Sequence, residues 1–154
     1  MKWKKALPLI LIVFILAAVP VPSAAAKEAP TAGITTEVEI LPNGDRIETV
    51  LVTYEQPDGA KSTRSGQKTK SYKNSSGAVL WSVTVYGTFS YNGSSATCTS
   101  ATRSTTCPGS GWSIVSSSAS KSGNTATAIA TARYNNIDYT RSVTLKCSTN
   151  GTLS

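Results

Sequence analysis

Val79-Leu80-Trp81-Ser82-Val83-Thr84-Val85-Tyr86-Gly87-Thr88-Phe89-Ser90-Tyr91 decides the fold. Read at period two, it places Val79, Trp81, Val83, Val85, Phe89 and Tyr91 on one face, and Ser82, Thr84, Thr88 and Ser90 on the other. That is the pattern of a half-buried β-strand, because successive side chains of a strand point to opposite faces. The β-branched and aromatic residues on it suit a pleated, packed surface.

Outward from this strand the same period recurs. Residues 34–41 and 47–54 alternate around Pro42-Asn43-Gly44-Asp45, which predicts a β-hairpin. Residues 56–66 are polar and punctuated by Gly and Pro, and read as a linker. Residues 68–73 lead into the 79–91 strand, and Asn92-Gly93 predicts a hairpin return over 95–100. The Ser/Thr-rich stretch around Cys107 reads as loop, and 112–116 as a short strand. Over 125–134, Ala126, Ala128, Ala130 and Ala132 share one face, and Thr125, Thr127, Ile129, Thr131 and Arg133 the other. Inward alanines leave room for Trp81 or Trp112, since interiors pack large side chains against small ones. Interleaved threonines, with Gly123-Asn124 and Asn135-Asn136 as bounds, weigh against a polyalanine helix. Residues 139–147 complete the set.

About six short strands at turn spacings of roughly 8–12 residues define an all-β body. We expect a small antiparallel β-sandwich, immunoglobulin-like or similar, preceded by a signal peptide and an acidic β-hairpin. The expected divisions are 1–26 signal peptide, 27–66 acidic lead segment with hairpin and linker, and 67–154 basic β-sandwich.

The leader reading rests on Lys2, Lys4 and Lys5, an apolar run over 7–18, and the small residues that end at Ala24-Ala25-Ala26. The apolar run is short for a span of about 20 residues, so cleavage after Ala26 and a secreted, extracellular product are expected, without stable membrane insertion. Loss of the three lysines lowers the formal charge from +7 to +4. That charge is segregated, with −5 over residues 27–59 and +9 from Lys61 onward. A basic body of this kind is drawn to anionic surfaces, such as a cell-wall or other anionic envelope polymer, and its acidic lead segment could dock on it.

Catalytic chemistry is poorly supplied. The chain has no His, which removes Ser-His-acid and Cys-His mechanisms. Asp138 is the one carboxylate side chain from Lys61 onward, against the two that glycoside hydrolysis usually needs. The three cysteines lack the spacing and partner ligands of a metal site. A non-enzymatic protein without cofactor or metal is therefore expected. Nucleic acid is not an expected partner of an exported chain lacking a recognised module. Aromatics interleaved with basic residues, namely Tyr72, Tyr86 and Tyr134 with Lys70, Lys73 and Arg133, make a candidate binding surface. The competing reading is that the tyrosines cover the second face of the sheet. Export to an oxidising compartment permits one disulfide among Cys98, Cys107 and Cys147, and strand-like positions favour Cys98 with Cys147.

Several runs resemble a group of small secreted proteins of unknown function from Gram-positive bacteria. They are Lys68-Thr-Lys-Ser-Tyr-Lys-Asn-Ser-Ser-Gly77, Leu80-Trp-Ser-Val-Thr-Val85, Tyr91-Asn-Gly-Ser-Ser-Ala-Thr-Cys98, Ser120-Lys-Ser-Gly-Asn-Thr-Ala-Thr-Ala128 and Val143-Thr-Leu-Lys-Cys147. Leu41-Pro-Asn-Gly-Asp-Arg-Ile-Glu-Thr-Val50 in the lead segment is also similar. The resemblance implies a secreted protein with cysteines at Cys98 and Cys147 but not at Cys107, and it implies no activity. Two functions follow as expectations: a non-enzymatic envelope-binding protein, or an antibacterial, toxin-like effector whose acidic pro-segment masks the basic body.

Intact-mass measurement and N-terminal sequencing of the protein from its own culture medium should find Lys27 as the first residue. A product starting near Ser65 would instead support the pro-segment reading.

Overall fold

The computed structural model describes residues 31–56 and 62–154. The expected signal peptide and cleavage position lie outside the described residues, as does the middle of the expected linker. The described chain is all-β and forms no helix. Its strands are β1 (Thr31–Ile40), β2 (Arg46–Tyr54), β3 (Thr63–Lys73), β4 (Val79–Tyr91), β5 (Ala96–Thr106), β6 (Trp112–Ser122), β7 (Thr125–Tyr134) and β8 (Ile137–Lys146). The first five make one sheet in the order β1-β2-β3-β4-β5, and the last three a second sheet in the order β6-β7-β8. Every pairing is antiparallel between sequence neighbours. The two sheets stack, with β6 over β5, β7 over β4 and β8 over β3.

The core lies between the inward face of β4 and that of β7. Trp81, Val83, Val85 and Phe89 are buried, and so are Ala126, Ala128, Ala130 and Ala132. Val143, Leu145, Cys147 and Leu153 extend the same cluster. The large-against-small arrangement expected from the alternation is thus present between β4 and β7. Gly87 belongs to it. A Cβ there would lie 2.7 Å from the Phe89 ring and 3.0 Å from Leu145, so the Phe89 ring occupies the space that any side chain would need. At the start of β4 the expected face departs from the structure, while Tyr91 at its end packs against the core as expected. Val79 pairs with Lys73 across a bulge, and Leu80 packs against the core instead. Tyr91 is half-buried, its hydroxyl 3.2 Å from Gln56 Oε1.

Three strands run further than their side-chain pattern indicated. β3 begins at Thr63, within the stretch read as linker, and Arg64 pairs with Phe89. β5 continues to Thr106 and β6 to Ser122 through Ser/Thr-rich segments without hydrophobic alternation. In each case the neighbouring strand supplies a complete ladder, so the backbone hydrogen bonds hold the segment extended whatever its side chains bury. The lead hairpin also continues the main sheet. β2 pairs with β3 from Arg46↔Lys73 to Thr53↔Gly66, a ladder that crosses the expected 66/67 boundary. Among the described residues, the acidic segment joins the basic body through this backbone ladder, the ion pair of Lys73 with Glu48 at 2.6 Å, and side-chain hydrogen bonds from Tyr72 to Asp45 and from Tyr54 to Gln67.

Ala130→Leu should destabilise the protein by about 1–3 kcal/mol in urea unfolding, because it forces extra volume into a closed core. Ile129→Thr on the exposed face of the same strand should stay within about 0.5 kcal/mol. Equal effects would place the core elsewhere.

Candidate functional site

The six residues expected to form one binding surface do not come together. Tyr72 is buried in the core and donates its hydroxyl to Asp45 Oδ2 at 2.7 Å. Burial, followed by that hydrogen bond, pushes its phenol above the ordinary value. Its ring sits 5.5 Å from Trp112 and 6.2 Å from Tyr139, with the Arg141 guanidinium 5.8 Å over its face. Tyr134 stacks on Trp112 at 5.0 Å at the end of β7, where it stays exposed, whereas its neighbour Arg133 faces the opposite way and pairs with Asp138. That pairing holds the Asp138 carboxyl below its usual range. Lys73 and Tyr86 lie on the outer face of the larger sheet, and Lys70 on its inner face. The reason is the two-residue period. Lys70 and Lys73, or Arg133 and Tyr134, are close in sequence but differ in parity, and so point to opposite sides.

The cysteine expectation is corrected. All three thiols are free. Cys98 donates to the Ser100 carbonyl at 3.2 Å and Cys147 to the Ser148 carbonyl at 3.4 Å. The β6–β7 turn holds both backbones, the Cys98 N–H on the Gly123 carbonyl and the Cys147 N–H on the Asn124 carbonyl. Two cysteines at strand ends were a reasonable pair on pattern alone, but their thiols are committed to local carbonyls. Cys107 packs half-buried against the core.

Two surfaces emerge that side-chain pattern did not single out. The first is a hydroxyl carpet. On the outer face of the larger sheet, Ser65 and Thr88, Thr69 and Thr84, and Ser82 and Thr106 are hydrogen-bonded across strands at 3.1, 2.8 and 2.7 Å. On the outer face of the smaller sheet, Thr131 bonds Thr140 at 2.8 Å and Thr127 meets Thr144 at 3.4 Å. Ser116, Ser118, Ser120 and Ser122 of β6 extend these rows, exposed. The abundance of Ser and Thr was visible in the sequence, but not which of them share a face.

The second surface is a shelf. Because the larger sheet has five strands and the smaller three, the inner faces of β1 and β2 have no strand above them among the described residues. A groove therefore runs between Glu37, Thr49, Lys68 and Lys70 on its floor and Ser142, Val143 and Thr144 of the β8 edge. Leu153 and Ser154 line one end of the cleft, with Ser154 exchanging two backbone hydrogen bonds with Lys146 at 2.9 and 3.0 Å. Among the described residues no group of three His, Cys, Asp or Glu side chains could hold a metal ion.

Comparison with family models, with curated proteins and with solved structures returns no match.

Burial raises the thiol pKa of Cys98, Cys107 and Cys147 above the ordinary value of 9.0. Above that value the unfolded chain binds fewer thiol protons than the folded one. The resulting contribution is fully present below about pH 9 and is lost as the pH rises further. Urea midpoints should therefore fall above about pH 9, and a Cys98→Ala/Cys147→Ala variant should lose part of that fall. In native protein at neutral pH, Cys98 and Cys147 should react with iodoacetamide far more slowly than in urea; equal rates would show them accessible.

Proposed function

We propose that this chain is a secreted, non-enzymatic β-sandwich that binds an anionic polymer of the Gram-positive cell envelope. One observation carries the reading: among the described residues, most of the positive charge of the body has no ion-pair partner. Of the nine lysines and arginines from Arg64 onward, Lys73 and Arg133 are in ion pairs, with Glu48 and Asp138. Lys146 stands beside Thr125 and Ser122 at the margin of the smaller sheet's hydroxyl face, and Lys121 sits exposed at the same end, its ammonium donating to the Thr99 carbonyl at 2.7 Å. A polyhydroxylated, phosphate- or carboxylate-bearing polymer suits that combination, since fixed cations attract its charge and rows of hydroxyls exchange hydrogen bonds with its own. The signal-peptide pattern and the resemblance to secreted Gram-positive proteins support the same location. The pro-segment alternative has weaker support. Cleavage after Arg64 would cut inside β3 and strip β2 from its ladder, leaving Tyr72 without Ile47 and Asp45.

The test is sedimentation of the purified protein with isolated cell walls, with and without extraction of their anionic polymer. Binding should be strong at low salt and released near 1 M, where the Debye length is about 3 Å. Lys121→Gln/Lys146→Gln should weaken it. Retention at high salt, or equal binding to extracted walls, would overturn the proposal.

A further inference from the structure

We propose that two copies of this chain join by mutual strand addition, the β1 edge of each pairing with the β8 edge of the other. The first support is the strand count. The larger sheet overhangs the smaller by two strands, β1 and β2. A second copy turned about a two-fold axis lying between the layers brings its own β1 and β2 into that vacancy. Each layer then becomes one continuous sheet of five strands from one copy and three from the other. The same operation fills both vacancies, so the contact is self-complementary and closed.

The second support is that, among the described residues, both edges are open over matching lengths. The Leu41 N–H donates to the Asp45 carbonyl, which sets the alternation along β1. Thr35, Glu37 and Glu39 exchange hydrogen bonds with β2, whereas Ile34, Thr36, Val38 and Ile40 turn their N–H and C=O groups outward. On β8 the Cys147 N–H donates to the Asn124 carbonyl, and the outward groups belong to Asp138, Thr140, Ser142, Thr144 and Lys146. Lys146 already bonds Ser154 in that direction, so the start of a further strand is in place. Four residues remain free on each edge. Long, unblunted edges of this sort are templates for pairing.

Burial and charge agree. Ile34, Val38 and Ile40 on β1 are 67%, 55% and 72% exposed, because β1 is flanked on one side only. On the same outer face of β4, flanked on both sides, even Ser82 and Thr84 are 6% and 7% exposed. A strand added beside β1 therefore shields its isoleucines and valine laterally. On the inner face the partner's Glu37 and Glu39 approach the floor that holds Lys68 and Lys70, with β1 acidic where β3 is basic. Two glutamates and two lysines from each copy balance across the axis. The arrangement also joins the hydroxyl-bearing outer faces of both sheets into one surface per layer.

The experiment is sedimentation equilibrium from low to high micromolar concentration on the protein and on two single variants, Thr36→Pro and Ser142→Pro. Each proline removes an outward N–H and no intrachain ladder bond, the position at which edge strands tolerate it. The parent should show a dimer, and each variant should lose it while its thermal unfolding matches the parent's at concentrations low enough for the parent to be monomeric. Zero-length carbodiimide coupling in a mixture of isotopically light and heavy chains supplies a second readout that needs no variant. It should join Glu37 or Glu39 of one copy to Lys68 or Lys70 of the other. A parent that stays monomeric throughout overturns the proposal. So does a dimer that survives both prolines, or one lacking those cross-links, as an association through the outer Ile34, Val38 and Ile40 face would give. Salt-released wall binding by a monomer would leave the proposed function intact.

Discussion

The contact on which the rest depends is that of the bulky inward face of β4 with the alanine row of β7. Trp81 and Phe89 fill a space that four consecutive inward alanines leave open, and Gly87 yields its own side-chain volume to the Phe89 ring. Larger residues on β7 would hold the sheets apart, and smaller ones on β4 would leave a void of the sort that costs several kcal/mol. Because this pair fixes the separation of the layers, it also sets which parts of the longer sheet lie under β6, β7 and β8 and which do not.

Outside that contact the structure is held by backbone ladders and hydroxyl pairs more than by apolar burial. The cross-strand Ser/Thr pairs contribute about 0.2–1 kcal/mol each, too little singly to define a fold. They are compatible with strands on both sides, and their side chains are short enough to be covered by their neighbours, which is why Ser71, Ser82 and Thr84 are buried on an outward face. An end cluster of Tyr72, Trp112, Tyr134 and Tyr139 closes one end of the sandwich, its rings satisfied by one another.

The charge segregation of the sequence acquires a location in the fold. Acidic β1 lies beyond β2 from basic β3 in one sheet, and β2 and β3 are joined by backbone and by the Glu48–Lys73 pair. Among the described residues, Arg103 and Lys146 further along the chain are exposed without an ion-pair partner, and acidic β1 stands at the edge of its sheet. Both proposals draw on the same imbalance, one on the faces of the sheets and the other on their edges.

The sequence by itself determined the all-β class, the burial of Trp81, Val83, Val85 and Phe89, the inward row of alanines and the hairpins at Asn43-Gly44 and Asn92-Gly93. These follow from a local period and local turn chemistry, which need no knowledge of neighbours. Tertiary structure alone decided that Tyr72 is core and not surface, and that Lys70 and Lys73 face opposite ways across one sheet. It also kept Cys98 and Cys147 as separate thiols, and made strands of the Ser/Thr-rich ends of β5 and β6. The reason is that a strand's pattern says which residues share a face, but not which strand lies above that face or beside that edge. Here the unequal sheets settle that question, by leaving β1, β2 and the edge of β8 uncovered among the described residues.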